Sequence, residues 1–195
     1  MADNIEIIGE YRGKVKNRVL TALLQSYMDN LDYDGMKSIL REAELLELKD
    51  VRDIDPDGEI DFFSFKKIIT AQNCLLYDSS QLLFEIGKKF SFYLFPYGKD
   101  FNEIVMEINY LIQANWSVKL LEDTAENIVV RVDKCVFCSG IGISCDLFKG
   151  FLIYALEKNL SSNYRVVSIS EKENISDPTH NSFILKLKIE KTFKT

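Results

Sequence analysis

The hydrophobic pattern of this chain changes at Asn115, and this change constrains the fold more than any other feature. Before Asn115, apolar residues recur every three or four positions, which is typical of amphipathic helices. The pattern predicts five helices, over residues 14–30, 35–48, 62–76, 80–95 and 100–114. Pro96 and Gly98 end the fourth helix, because proline lacks a backbone donor and glycine favours turns.

After Asn115 the sequence contains short segments rich in β-branched residues. Residues 116–121 and 128–132 predict a β-hairpin, residues 146–159 a helix, and residues 164–170 and 183–189 two more strands. Two strand pairs that bracket one helix indicate an α+β fold, in which N-terminal helices pack on an antiparallel sheet of about four strands. No segment has the composition of an interdomain linker, so we expect one domain over residues 12–190 and an N-terminal extension over residues 1–11.

Composition narrows the classes of function. The formal net charge is −6 and no basic run is longer than a pair, which argues against nucleic-acid binding. The apolar stretches are shorter than the roughly 20 residues that a membrane-spanning helix needs. Residues 1–10 lack the apolar core of a secretory signal, and the four cysteines do not suit a secreted disulfide framework. We therefore expect a cytoplasmic protein.

Three sequence blocks carry a family resemblance. They are LLFEIGKKF at residues 82–90, CDLFKGFL at residues 145–152 and VVSISEKENISDPTHNSF at residues 166–183. These blocks resemble the vinyl-4-reductase domain family, which is grouped with TRAPP-type vesicle-tethering subunits and haem NO-binding domains. Over residues 12–190, the resemblance implies a pocket between helices and sheet for an apolar or aromatic small molecule. It also implies frequent homodimers and, in many members, a structural zinc ion.

The zinc ligands that the resemblance implies are only partly present. In members related to phenol-responsive regulators, a cysteine before the C-x4-G helix, a glutamate and two later cysteines bind the ion, and Cys145 and Glu171 match the first two positions. Asn174 and Asn181 stand at or near the other two, and carboxamides are poor zinc ligands. His180 is adjacent to the last position, which leaves open a zinc site of Cys145, Glu171 and His180 with a water molecule. The alternative is that these residues bind no metal.

The same resemblance bears on haem. The haem NO-binding relatives use a histidine as the proximal iron ligand. The helix that resembles their ligand-bearing helix, residues 100–114, contains no histidine, and His180 lies in a different region. We therefore expect no haem, and no cofactor other than zinc.

A second cysteine motif precedes Cys145. Cys135 and Cys138 form a C-x2-C sequence in a loop, which could bind a metal or undergo redox chemistry. The motif does not open a helix directly after a strand, as a thioredoxin-like motif would. Cys74, which a site of four thiolates would need, lies on an apolar helix face, where a free cysteine is ordinary. The simplest interpretation is that the motif holds no metal, and its role stays open.

Four aspartates suggest a calcium loop. Asp53, Asp55, Asp57 and Asp61 match oxygen-ligand positions of an EF-hand loop, with a glycine at the turn. The final position, which needs a bidentate glutamate, is Ser64. The pattern therefore indicates either a weak calcium site or an acidic Pro-Asp-Gly turn between two helices.

Little in the sequence indicates catalysis, and we expect that the protein is not an enzyme. The chain has neither a phosphate-binding glycine loop nor a nucleophile elbow, and one histidine offers few options for general acid–base chemistry. Six aromatic side chains are the expected wall of a ligand pocket, or else ordinary core residues: Phe84, Phe92, Phe95, Phe148, Phe151 and Tyr154.

Together these observations predict a binding or sensory domain that holds a hydrophobic small molecule or lipid-like ligand, as a homodimer. The alternative is a protein-interaction subunit that resembles the TRAPP tethering proteins.

Overall fold

The computed structural model describes residues 12–97, 99–138, 145–173 and 182–192. The first elements of this part are β1 (Lys14–Lys16), α1 (Asn17–Glu42), β2 (Glu59–Asp61), α2 (Phe62–Leu75), α3 (Ser80–Leu94) and α4 (Phe101–Leu111). They are followed by β3 (Ile112–Gln113), β4 (Ser117–Asp123), β5 (Asn127–Asp133), α5 (Asp146–Asn159), β6 (Tyr164–Glu173) and β7 (Phe183–Lys191). In the described part of the chain, none of the helices combines the length and hydropathy that crossing a membrane requires.

Helix α1 joins the first two predicted helices through a kink. The kink is at Asp32, which has a left-handed backbone with φ of 64°. The Oδ1 atom of Asp32 accepts hydrogen bonds from the amides of Asp34 and Gly35, at 2.9 Å each, so this side chain caps the second half of the helix. The predicted helical start at residues 14–16 is wrong, because these residues pair as strand β1.

A small sheet of three short strands was not predicted. Strand β1 lies between β2 and β3 and pairs antiparallel with both. Gly13 precedes it with φ of 142°, and a Cβ atom there would lie 2.1 Å from the carbonyl oxygen of Gln113. Only glycine therefore fits at the point where the chain enters this sheet.

The main sheet has the predicted antiparallel character. Its strand order is β4-β5-β7-β6, and every neighbouring pair is antiparallel. Its two central strands, β5 and β7, alternate between a buried and a more exposed face, and their buried residues include Ile128, Val130, Val132, Leu185 and Leu187. With α5 between the two strand pairs, this arrangement confirms the predicted α+β fold.

Helices α3 and α5 cross in backbone contact. A Cβ atom at Gly87 of α3 would lie 1.9 Å from the carbonyl oxygen of Leu147, and one at Gly150 of α5 would lie 2.1 Å from that of Phe84. Each glycine thus allows the backbone of the other helix to approach closely. Gly87 and Gly150 belong to the two helical blocks that carry the family resemblance. Close packing of the two helices accounts for a glycine in each block.

Candidate functional site

Three buried cysteine sulfurs converge between the end of β5 and the start of α5. The Sγ atoms of Cys135, Cys138 and Cys145 all lie within 4.8 Å of one another, and those of Cys135 and Cys145 are 2.9 Å apart. The three residues are at most 4% exposed. Among the described residues, no other three His, Cys, Asp or Glu side chains form a comparable ligand set.

Side chains of α2 hold the backbone of residues 134–138, here called the cysteine loop. The Nζ atom of Lys66 donates to the carbonyl oxygens of Val136 and Cys138, at 2.9 and 2.5 Å. The Nδ2 atom of Asn73 donates to the carbonyl oxygen of Phe137 at 3.2 Å. These contacts fix the cysteine loop against α2 although it has no regular secondary structure.

The three thiols influence one another's protonation. Burial raises the pKa of Cys135, but hydrogen bonds from the other two thiols and the amide of Phe137, with the charge of Lys66, outweigh it and hold the pKa well below its ordinary value. Burial and the neighbouring Cys135 raise the pKa of Cys138 and Cys145 well above theirs. The three thiols therefore titrate as one coupled group and not as independent side chains.

Aromatic rings surround the cysteine loop. The ring of Phe137 stacks on that of Phe148, with centroids 5.1 Å apart and planes at 16°, and Phe148 stacks on Phe151 at 5.4 Å. The buried rings in mutual contact, here called the ring cluster, are Phe65, Phe90, Phe95, Trp116, Phe137, Phe148 and Phe151. They come from α2, α3 and α5, from the cysteine loop and from the segment before β4.

The structure brings together only half of the predicted pocket wall. Phe95, Phe148 and Phe151 belong to the ring cluster, whereas Phe84 is partly buried in the helix crossing. The rings of Phe92 and Tyr154 face outward, where the ammonium of Lys158 lies 4.9 and 5.6 Å from their centroids. The pocket itself stays a prediction. Phe137 was not predicted as part of the pocket wall, although its position inside the C-x2-C motif is visible in the sequence.

A buried hydrogen-bond chain connects α1 to the cysteine loop. The Tyr27 hydroxyl donates to Oε1 of Gln72 at 2.7 Å, and Nε2 of Gln72 donates to Oδ1 of Asn73 at 2.8 Å. The Nδ2 atom of Asn73 in turn donates to the carbonyl oxygen of Phe137. Burial raises the pKa of Tyr27 well above its ordinary value, so its hydroxyl remains a donor.

Two of the three predicted zinc ligands, Cys145 and Glu171, belong to the described part of the chain. Cys145 lies in the cysteine cluster, Glu171 pairs with Leu185 in the main sheet, and His180 lies outside the described residues. The predicted zinc site of Cys145, Glu171 and His180 therefore stays a prediction.

The aspartates of the predicted calcium loop serve the local backbone. Asp61 caps α2 by accepting from the amide of Ser64 at 2.9 Å, and Asp55 accepts from the amide of Asp57 at 3.0 Å. Asp53 ends a short 3-10 helix. Within the described residues these carboxylates form no metal-ligand set, and the turn accounts for the positions of Asp55 and Asp61. Calcium binding stays a prediction.

Comparison with known proteins places the fold. No protein-family model matches the chain, and no curated protein matches it. Among solved structures, a mutant of an Fe(II) unliganded H-NOX protein from K. algicida is similar with a TM-score of 0.58 and 13% identity, over 91% of this chain and 97% of that chain.

A second similar structure is an oxygen-binding H-NOX domain related to soluble guanylate cyclases, in its oxygen complex. Its TM-score is 0.56 at 16% identity, over 93% of this chain and 98% of that chain. The predicted relation to the haem NO-binding group is thereby confirmed at the level of fold, and the relation to the vinyl-4-reductase family stays a prediction. Over nearly its whole length, the chain has the fold of H-NOX domains.

Proposed function

We propose that this chain is a non-catalytic, sensory binding domain that holds a flat, apolar small molecule in the ring cluster. The observation that carries this proposal is the ring cluster itself, a continuous set of stacked and edge-on rings around Phe137. The fold supports it, because an oxygen-binding domain has the same fold. Aromatic walls suit apolar ligands, since each ring offers a large area and a preferred stacking geometry.

Phe137 occupies the place that a ligand ring would take. The rings of Phe65, Phe90 and Phe148 are carried by helices, whereas Phe137 belongs to the cysteine loop. A planar ligand that displaced Phe137 would regain the parallel stacking on Phe148. Burial of its apolar surface contributes about 25 cal/mol per Å² before the ordering of ligand and loop is subtracted.

Haem does not fit the residues present. The similar structures are described as Fe(II) unliganded, as an oxygen complex and, for another at a TM-score of 0.54, in terms of haem redox potential. Helix α4 contains no histidine, and the one histidine of the chain, His180, lies outside the described residues. A haem held by an imidazole is therefore not the proposed ligand.

We propose binding without turnover. The polar side chains described in contact with the cysteine loop include the ammonium of Lys66, the carboxamide of Asn73 and the hydroxyl of Ser182. A carboxamide and a hydroxyl are not general bases near neutral pH, and no described residue places an imidazole, the usual partner of a cysteine nucleophile, beside the three thiols. These groups suit binding.

The rival function, a protein-interaction subunit, has weaker support. In the described part, the most exposed large apolar side chains are dispersed over the chain: Tyr77 and Tyr97 between helices, Phe63 on α2, Met106 and Tyr110 on α4, and Leu121 on β4. The predicted homodimer remains part of the proposal. Light scattering of the purified chain checks it: the dimer mass supports this part, and a monomer mass contradicts it.

Native mass spectrometry of freshly purified protein tests the proposed function. We expect a bound apolar molecule, up to one per chain, which dissociates on denaturation and is identified in the organic extract. Phe92→Leu, an exposed aromatic substitution, should retain it, whereas Phe148→Leu should lose most of it. The proposal is wrong if the native mass contains only polypeptide and metal and if a panel of flat apolar compounds also fails to raise the melting temperature.

A further inference from the structure

We propose that Cys135, Cys138 and Cys145 form a binding site for one thiophilic divalent metal ion, Zn²⁺, with a fourth position open to water. The site shares the cysteine loop with the proposed ligand site, but its metal content is measured separately from the ligand. It also differs from the set of Cys145, Glu171 and His180 that the family resemblance implies, because two of its three ligands belong to the C-x2-C motif.

The geometry is close to that of a zinc site. With zinc–sulfur distances of about 2.3 Å, tetrahedral coordination places sulfur atoms about 3.8 Å apart. The three Sγ atoms lie within 4.8 Å of one another, and those of Cys135 and Cys145 are 2.9 Å apart, so the required spacing lies between these two values. Small side-chain rotations are sufficient, and the backbone of the cysteine loop can stay as it is.

The surrounding charge favours a divalent ion. Three thiolates and Zn²⁺ carry one net negative charge, and a buried charge is tolerated only when an opposite charge compensates it. Lys66 is partly buried beside the loop and donates to the carbonyl oxygens of Val136 and Cys138. Its ammonium supplies a positive charge beside the zinc complex.

The position of the third cysteine also suits the site. Cys145 immediately precedes α5, a helix of 14 residues, so its sulfur lies at a helix N-terminus, where an anionic ligand is favoured.

The proposed site is tested by metal content. Protein purified under reducing conditions without chelator should contain about one zinc ion per chain, since three thiolates and one water complete a tetrahedral site. Cys74→Ser is the matched control, because Cys74 is exposed on α2, and it should keep the ion. Cys135→Ser and Cys138→Ser should each lose at least nine-tenths of it.

A measurement on the wild-type chain avoids the question of whether the variants fold. Reduced, metal-free protein titrated with Co²⁺ should develop thiolate-to-cobalt charge-transfer absorption that saturates at one ion per chain and disappears on addition of Zn²⁺. Absence of this absorption, with all four thiols titratable after denaturation, would overturn the proposal. So would loss of zinc in His180→Ala together with its retention in Cys135→Ser and Cys138→Ser.

Discussion

Tyr27 lies at one end of the buried hydrogen-bond chain that reaches the cysteine loop through Gln72 and Asn73. Tyr27→Phe removes the donor to the Gln72 oxygen, and we expect it to lower the free energy of unfolding by about 1–2 kcal/mol. Tyr93→Phe is the control, because the Tyr93 hydroxyl donates near the surface. Urea denaturation measures both variants. Equal losses in the two variants would contradict the importance of the buried chain.

A second residue-scale prediction concerns pH. Burial raises the pKa of Asp29, but the hydrogen bond from Tyr93 at 2.7 Å and the ammonium of Lys89 at 3.2 Å outweigh it, so the pKa lies below its ordinary value of 3.8. Because the unfolded state then binds the proton more readily, this contribution is present above the ordinary pKa and is lost as the pH falls through the lowered one.

Asp29→Asn should therefore be less stable than wild type by about 0.5 kcal/mol near neutral pH, a value typical of partly exposed ion pairs. The difference should shrink towards zero at low pH. Urea denaturation at a series of pH values measures it. A constant difference across that series would show that the carboxylate charge is not responsible.

At the scale of elements, the crossing of α3 and α5 depends on Gly87 and Gly150. Helix propensity alone predicts that Gly→Ala stabilises a helix by about 1 kcal/mol. Here each added methyl group would overlap a backbone carbonyl of the other helix, so we expect Gly87→Ala and Gly150→Ala to destabilise the protein by about 3 kcal/mol each. Glu157→Ala, at an exposed position of α5, should change little. A stabilised Gly87→Ala variant would contradict the close crossing.

The elements that were predicted correctly are long enough for the helical or strand period of their apolar residues to repeat. Helices α2, α3 and α5 and the central strands β5 and β7 repeat their buried positions over several turns or alternations. Strands β1, β2 and β3 have only two or three residues each, which is too short for a period to be detected. The kink at Asp32 was located only as a gap between two predicted helices.

At the scale of the whole molecule, the site could be predicted only in fragments. The C-x2-C motif, Cys145 and several aromatic residues are visible in the sequence. The sequence does not show that the cysteine loop brings the cysteines and the aromatic rings together. That proximity depends on Lys66 and Asn73 of α2, which are distant in sequence from the cysteine loop. Some of the residues predicted to line the pocket on α3 and α5 lie in the core, and others lie at the surface. Helical spacing could not distinguish them, because it does not reveal which face of a helix a neighbouring helix covers.

The position of Trp116, the only tryptophan, permits a direct test of the ring cluster as the ligand site. Its ring is buried, with its centroid 5.9 Å from that of Phe137 and 5.5 Å from that of Phe148. Tryptophan fluorescence should be recorded while the wild-type chain is titrated with biphenyl or with the ligand that co-purifies. We predict a saturable change in Trp116 emission at one molecule per chain. A ligand that binds, as judged by native mass spectrometry, and leaves this emission unchanged would contradict the proposed site.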